Sequence, residues 1–265
     1  MQQSAPERNR YPESWLMSDR DCLQQTYDYF NEDYLYFGDV INPPDVSDRQ
    51  AEAVWKLLSL AQGSPVLELG CGYGRITNRL AEKGARLTGL DISPILLKKA
   101  EADAVGRGVD VEYVLGDMRS LPWRDRFDAA FLWYTTFGYF GDVDNERVLR
   151  EAACSLRTGG RLLIDQINSF AVPSHEAPTC YVAQRNDDLR IDMMSNEVLT
   201  GRRHCERLIV RNGFVRRTHL YFRLYGFAEY VRMLRSAGFE SVDAYGEDGA
   251  AFTSDGFRLV IVARK

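Results

Sequence analysis

The feature that most constrains this chain is an alternation that runs from Pro65 to Ile167. Five short apolar runs, Pro65–Leu69, Arg86–Leu90, Val111–Leu115, Phe127–Trp133 and Arg161–Ile167, read as strands. Stretches of helical periodicity, Tyr73–Glu82, Pro94–Val105 and Asp144–Leu156, stand between them. The punctuation agrees. Gly84 stops the first helix, Ser93-Pro94 supplies an N-cap and a proline at the first helical position of the second, and Gly159-Gly160 ends the third. Strands joined through helices pair in parallel with right-handed crossovers, so the expected architecture is a doubly wound α/β sheet.

The flanks differ from this centre. Residues 1–20 are polar and read as a loose tail. Residues 21–46 carry Tyr27, Tyr29, Phe30, Tyr34, Tyr36 and Phe37, too many aromatics for a solvated segment, and Asn42-Pro43-Pro44 breaks them. Ser47–Leu60 then has the pattern of an amphipathic helix. Past Asn168 the rhythm changes. Residues 170–225 are rich in β signals without intervening helices, and Asn212-Gly213 marks a type I′ hairpin between Arg207–Val210 and Phe214–Leu220. This stretch is expected to be a small antiparallel insertion over one end of the sheet. A helix, Phe227–Ser236, and two strands, Glu240–Tyr245 and Arg258–Ala263, complete the main unit, expected to span 21–265.

At the first strand-to-helix turn stands Glu68-Leu69-Gly70-Cys71-Gly72-Tyr73-Gly74. Glycines permit a tight turn and close approach of a ligand, and the following helix offers free amides. The G-x-G-x-G spacing differs from the G-x-G-x-x-G of dinucleotide sites, and no Lys-Ser or Lys-Thr pair makes a Walker loop. Glu68, just ahead of the glycines, would repel a pyrophosphate and suits an ammonium group. Asp91, ending the second strand before Ile92, is placed to accept ribose hydroxyls, or else to cap the next helix. Asp117 and Met118 follow the third strand, where an acid and a flexible apolar side chain fit an adenine ring. Leu132-Trp133 ends the fourth.

In order and spacing, these segments and the run Leu156-Arg157-Thr158-Gly159-Gly160-Arg161 resemble the class I S-adenosylmethionine-dependent methyltransferases. Thr135–Phe140 and Arg223-Leu224-Tyr225 look like a bacterial small-molecule branch of that family. The resemblance implies a Rossmann-like seven-stranded sheet of order 3-2-1-4-5-7-6 with the seventh strand antiparallel. It also implies S-adenosyl-L-methionine as cofactor, with Gly70, Gly72 and Gly74 at its methionine end, Asp91 at the ribose, and Asp117 and Met118 at the adenine; Glu68, Cys71, Ile92 and Leu132 complete the candidate cofactor-binding set. Thr158 stands where such proteins commonly carry proline.

Methyl transfer from a sulfonium needs an acceptor held close and water excluded, and a hydroxyl acceptor also needs a base. His219 is the candidate base, with His204 behind it. Tyr27, Tyr34, Tyr36 and Phe37 form a candidate lid, with Tyr139, Tyr225 and Arg223 as further wall residues; each could instead serve packing, and Arg223 could simply brace the insertion. An aromatic pocket points to a small-molecule acceptor methylated at O, N or C. The alternative is a non-catalytic cofactor-binding regulator.

Composition sets the remaining bounds. The net charge is -5, which argues against nucleic acid as partner. Arg202, Arg203, Arg207, Arg211, Arg216 and Arg217 are dense but interrupted, and read as the solvated side of strands. The five scattered cysteines and three histidines suggest neither a disulfide framework nor a metal site. No run of ~20 apolar residues predicts a membrane span. A cytoplasmic protein is the expectation, its oligomeric state open with a homodimer as the option named.

Overall fold

A computed structural model describes residues 19–172, 178–197 and 199–265. The tail expected over residues 1–20 lies outside these, except for its last two positions. Seven strands form one sheet: β1 (Pro65–Leu69), β2 (Arg86–Asp91), β3 (Val111–Leu115), β4 (Phe127–Leu132), β5 (Leu156–Ile167), β10 (Ser241–Tyr245) and β11 (Arg258–Arg264). Their spatial order is β10-β11-β5-β4-β1-β2-β3, and β11 runs antiparallel to both β5 and β10. Counted within this sheet, that is the order and the reversed last strand expected from the sequence.

The strands alternate their side chains between two cores. Leu67, Leu69, Leu132, Leu162 and Ile164 face a core closed by α7 (Asp142–Ser155) and α8 (Phe227–Ser236). Val66, Leu87, Phe131 and Leu163 face the opposite core, under α4 (Pro44–Leu57) and α5 (Thr77–Glu82). Burial on both faces is why these strands read as nearly continuous apolar runs. β1 lies between β2 and β4, so the chain leaves it toward opposite sides and opens a crevice at its carboxyl end.

Local chemistry moved several boundaries. α4 begins at Pro44, earlier than Ser47, because Pro43 is extended and Pro44 occupies the first turn, where no amide is needed. The helix expected from Tyr73 begins only at Thr77, since Gly74 at φ +74° still belongs to the turn. Ser93 precedes α6 (Pro94–Arg107) as expected, yet its hydroxyl does not cap the helix; it donates to the Phe30 carbonyl at 3.2 Å.

A second, antiparallel sheet holds β6 (Thr179–Arg185), β7 (Asp188–Glu197), β8 (Arg202–Arg211) and β9 (Phe214–Arg223), in that order. Asn212 and Gly213, both at positive φ, make the two-residue turn between β8 and β9, whose strands are longer than the sequence suggested. The aromatic segment folds into α1 (Asp19–Tyr29), α2 (Glu32–Tyr36) and α3 (Gly38–Ile41). α1 covers the edge strand β9: the Gln25 side chain accepts from the Tyr221 amide at 2.9 Å and donates to its carbonyl at 3.3 Å. One glutamine thereby occupies groups that would otherwise offer an open sheet edge. Asp33 anchors α2 through Arg211 and Arg216.

Candidate active site

A cavity of about 660 Å³ opens at the carboxyl ends of β1, β2, β3 and β4 and extends beneath the inner face of the antiparallel sheet. Its floor is the glycine turn. The Gly70 and Cys71 amides both donate to the Leu90 carbonyl, at 2.7 and 3.0 Å, which folds the turn back over β2. Gly70 has φ +69°, and a Cβ there would collide with the Thr136 methyl. Only glycine meets both conditions.

Two buried carboxylates brace this floor. Asp91 accepts from the Gly72 amide and from the Ser93 amide, each at 2.8 Å, so it joins the turn to the start of α6. Burial nevertheless raises its pKa above the usual carboxylate range, against these bonds. Glu68 accepts from the Thr77 hydroxyl, and burial pushes its pKa up to about 8. Arg75 donates to Gln50 at 2.5 Å, as does the Trp133 indole at 3.1 Å, which ties α4 to the floor.

At the end of β3, both carboxylate oxygens of Asp117 accept from Arg119, which also reaches Asp144. At the end of β4, Tyr134 and Thr135 both have φ +61°. Such conformations cost about 1–3 kcal/mol each in non-glycine residues and persist only where neighbours impose them. Here Asp165 imposes them: its side chain accepts from the Tyr134 amide at 2.8 Å and its carbonyl from the Thr135 amide at 3.0 Å. Arg258 pairs with that carboxylate and donates to the Thr135 hydroxyl.

The roof is the inward face of β7, β8 and β9 with α1. Arg207 donates to Asp192 at 2.7 Å and to the Tyr29 hydroxyl, and lies 3.6 Å from the Tyr29 ring centroid. Arg190 shares Asp192 from the other side, at 2.5 Å. These bonds hold the Asp192 carboxyl below its ordinary pKa despite burial, the desolvation being the largest single influence. Arg203 also lines the cavity, with an exposure of 2%. The arginine-rich strands were therefore misread in part: Arg203 and Arg207 point inward, and the alternation Arg203, Cys205, Arg207, Ile209 marks the buried face. That period of two is present in the sequence, where the apolar Cys205 and Ile209 mark the inward side and charge alone does not report exposure.

Of the expected cofactor residues, Glu68, Gly70, Cys71, Gly72, Asp91, Ile92, Asp117 and Met118 line the cavity. Gly74 does not; it packs against Tyr113 and Asn78. Leu132 is wholly buried in the core, and the residues that follow it, Trp133–Thr136, reach the cavity instead. Of the acceptor candidates, Tyr34 and Tyr139 line it, both with pKa values raised by burial so that their hydroxyls stay protonated.

The others lie elsewhere. Tyr27 is 43% exposed on α1. Tyr36 lies between Arg185 and Arg211, and Phe37 is buried beside it. Tyr225 is a core residue bonded to Asp142 and Asn145, and Arg223 braces the sheet against Glu229. His219 is corrected as the candidate base: it sits on the outward side of β9, 3.0 Å from His204, which stacks on Tyr221. Strand parity sends it outward, because its neighbour Leu220 faces inward.

Residues 66–160 match the sequence profile described as a methyltransferase domain. The chain is 34% identical over 147 residues to a demethylmenaquinone methyltransferase of Thermotoga maritima, covering 54% of this chain and 58% of that protein. It is 26% identical over 196 residues to a ubiquinone biosynthesis O-methyltransferase of Xanthomonas euvesicatoria, covering 74% of this chain and 70% of the relative. The chain thus spans between about two-fifths and seven-tenths of the length of the curated relatives it matches. Among solved structures, the CcbJ methyltransferase of Streptomyces caelestis shares the fold with a TM-score of 0.73 at 24% identity, over 84% of this chain and 90% of that one. The crevice at the strand ends and its glycine turn lie within the stretch that matches the methyltransferase domain, and in sequence and fold the chain is similar to S-adenosylmethionine-dependent methyltransferases.

Proposed function

We propose that this protein transfers a methyl group from S-adenosyl-L-methionine to a small-molecule acceptor. The observation that carries this reading is one continuous cavity with two chemically different ends. Its floor presents Glu68, Asp91 and Asp117, an acidic set that suits a cationic nucleoside. Its other end is walled by Phe30, Tyr34, Tyr139, Leu220 and Phe222, an aromatic and aliphatic enclosure suited to a small organic molecule.

When bound, the cofactor supplies an activated methyl on a sulfonium, so that the acceptor's lone pair forms the new bond to carbon while the carbon–sulfur pair departs to a neutral sulfur. The chain's residues have the remaining tasks. Asp91 holds the turn in shape and offers its buried carboxylate to ribose hydroxyls. Glu68, next to the glycines, faces the ammonium end. Asp117 and Met118 border the adenine. α1–α3 cover the cavity and exclude water, which fits the lid role proposed for residues 21–46. The Tyr34 and Tyr139 hydroxyls can donate to the acceptor while their rings fix its plane.

The names of the relatives, a demethylmenaquinone methyltransferase and a ubiquinone biosynthesis O-methyltransferase, make a quinone-like aromatic acceptor the class to try first. The described cysteines are all free, which supports a reducing, cytoplasmic setting. Among the described residues no helix is long and apolar enough to cross a membrane. The test is calorimetric titration with S-adenosylmethionine, S-adenosylhomocysteine and NAD. Binding of both sulfur compounds is expected; binding of NAD alone would overturn the reading.

A further inference from the structure

Four charged side chains sit on the buried face of the antiparallel sheet: Arg190, Asp192, Arg203 and Arg207. All four line the cavity. Asp192 is shared between Arg190 and Arg207, so this group carries more positive than negative charge. Arg207 is fully engaged, with Asp192, the Tyr29 hydroxyl and the Tyr29 carbonyl as its acceptors. Arg190 leaves its Nη1 buried without an acceptor.

Arg203 is the extreme case. Its exposure is 2%, and both Nε and Nη1 are buried with no hydrogen-bond acceptor. Among the described residues no carboxylate pairs with it. Burial lowers its pKa from the ordinary arginine range, while the Tyr181 hydroxyl acts in the opposite direction. An uncompensated buried charge is among the most costly features a fold can hold. Cys205 and Phe222 share its face of the sheet, Asn196 lies opposite it on β7, and the Tyr181 side chain supplies one hydrogen-bond partner without a charge. A planar fork of donors in such a setting suits an anion that arrives with the ligand.

We propose that Arg203 is a specificity residue that reads an anionic group, a carboxylate or a phosphate ester, on the methyl acceptor, with the free Nη1 of Arg190 as a second donor on the same cavity wall. This rests on the reading of the cavity as a methyl-transfer site, and it names the acceptor class: an acid with an apolar or aromatic body. The two ends of the cavity then differ in sign. The acidic floor takes the cationic methyl donor and the basic roof takes the anionic acceptor, so that each ligand is repelled from the other's place.

The experiment uses the full chain saturated with S-adenosylhomocysteine, whose own binding is measured first. Failure of that binding overturns the methyl-transfer reading and the proposal with it. The loaded protein is then titrated with 4-hydroxybenzoate, phenyl phosphate and the neutral 4-hydroxybenzamide. The proposal expects at least one anion to bind tenfold or more tightly than the amide, and the stronger of the two names the anionic group. Arg203→Met should remove that preference while leaving S-adenosylhomocysteine affinity within about twofold. Absence of anion binding to 10 mM, equal binding of the amide, or an unchanged preference in Arg203→Met each overturns it. A second readout separates recognition from support. Thermal unfolding of the ligand-free Arg203→Met protein should occur at the same temperature as the parent or higher, whereas a drop of several degrees would assign Arg203 a structural role instead.

Discussion

The floor and the roof of the cavity hold their charges in different ways. On the floor every carboxylate is occupied by its own neighbourhood: Asp91 by two backbone amides, Glu68 by Thr77, Asp117 by Arg119. These partners lie within about twenty residues of each other, so local chain geometry assembles them before any ligand arrives. On the roof, charge is balanced across strands and across the chain. Arg207 reaches Asp192 fifteen positions away and Tyr29 178 away, while Arg203 has no counter-charge among the described residues. A self-satisfied site is preorganised for one invariant ligand. A site with an unmet donor is specified by what enters it.

Four predictions sharpen or break that contrast, taken from the largest expected effect downward. Arg207→Met removes the cation that holds Asp192, Tyr29 and the start of the lid together. Breaking a buried pair from one side costs about 3–5 kcal/mol, and urea unfolding should register a loss of that order. A loss below about 1 kcal/mol would mean that the roof network contributes little. Gly70→Ala comes next. Its Cβ meets the Thr136 methyl in a backbone at φ +69°, so S-adenosylhomocysteine binding should weaken by roughly a hundredfold, while Gly72→Ala, whose Cβ would make only an ordinary contact with Leu96, should lose less. Equal losses at the two positions would show that φ alone matters.

Asp91→Ala should weaken S-adenosylhomocysteine by about tenfold or more, the scale of a lost charge-assisted hydrogen bond. An unchanged dissociation constant in calorimetry would remove Asp91 from the ribose and leave it only its two backbone bonds. The smallest effect is the pH dependence of Glu68. Its pKa, raised to about 8 by burial, means that the folded, ligand-free protein keeps a proton that the unfolded chain releases near the ordinary carboxylate value. Between those limits folding stability falls as pH rises, because the folded state holds more protons. A cationic ligand favours the ionised form, so cofactor affinity should rise toward pH 8, by at most about tenfold per unit. Titrations in buffers of different ionisation enthalpy would detect the released proton, and Glu68→Gln should abolish both the slope and the proton.

The reading of the sequence succeeded where structure is local. The glycine turn, Asp91 and Asp117 sit at successive strand ends, and hydropathy locates strand ends. It failed on His219 and on Arg203 and Arg207, for one shared reason. In an antiparallel strand the direction of a side chain depends on register, and a shift of one residue exchanges the two faces. Charge suggested that the arginines face water, although the alternating Cys205 and Ile209 pointed the other way. Tyr36, Phe37 and Tyr225 share the chemistry of wall residues, but packing placed Tyr225 in the core and set Tyr36 between two arginines. Asp165 and Arg258 carried no motif. They meet only because β11 inserts antiparallel beside β5, across 93 positions.

By itself, then, the sequence determined the doubly wound sheet and the acidic floor. Periodicity, glycine spacing and strand-end carboxylates act over a few residues, and their geometry survives whatever the rest of the chain does. Only the tertiary structure decided which aromatics enclose the cavity, which arginines turn inward, and that Arg203 lies there without a counter-charge among the described residues. Those outcomes depend on sheet register and on long-range burial, where the cost of an unpaired charge is set by everything around it and by nothing adjacent in the chain.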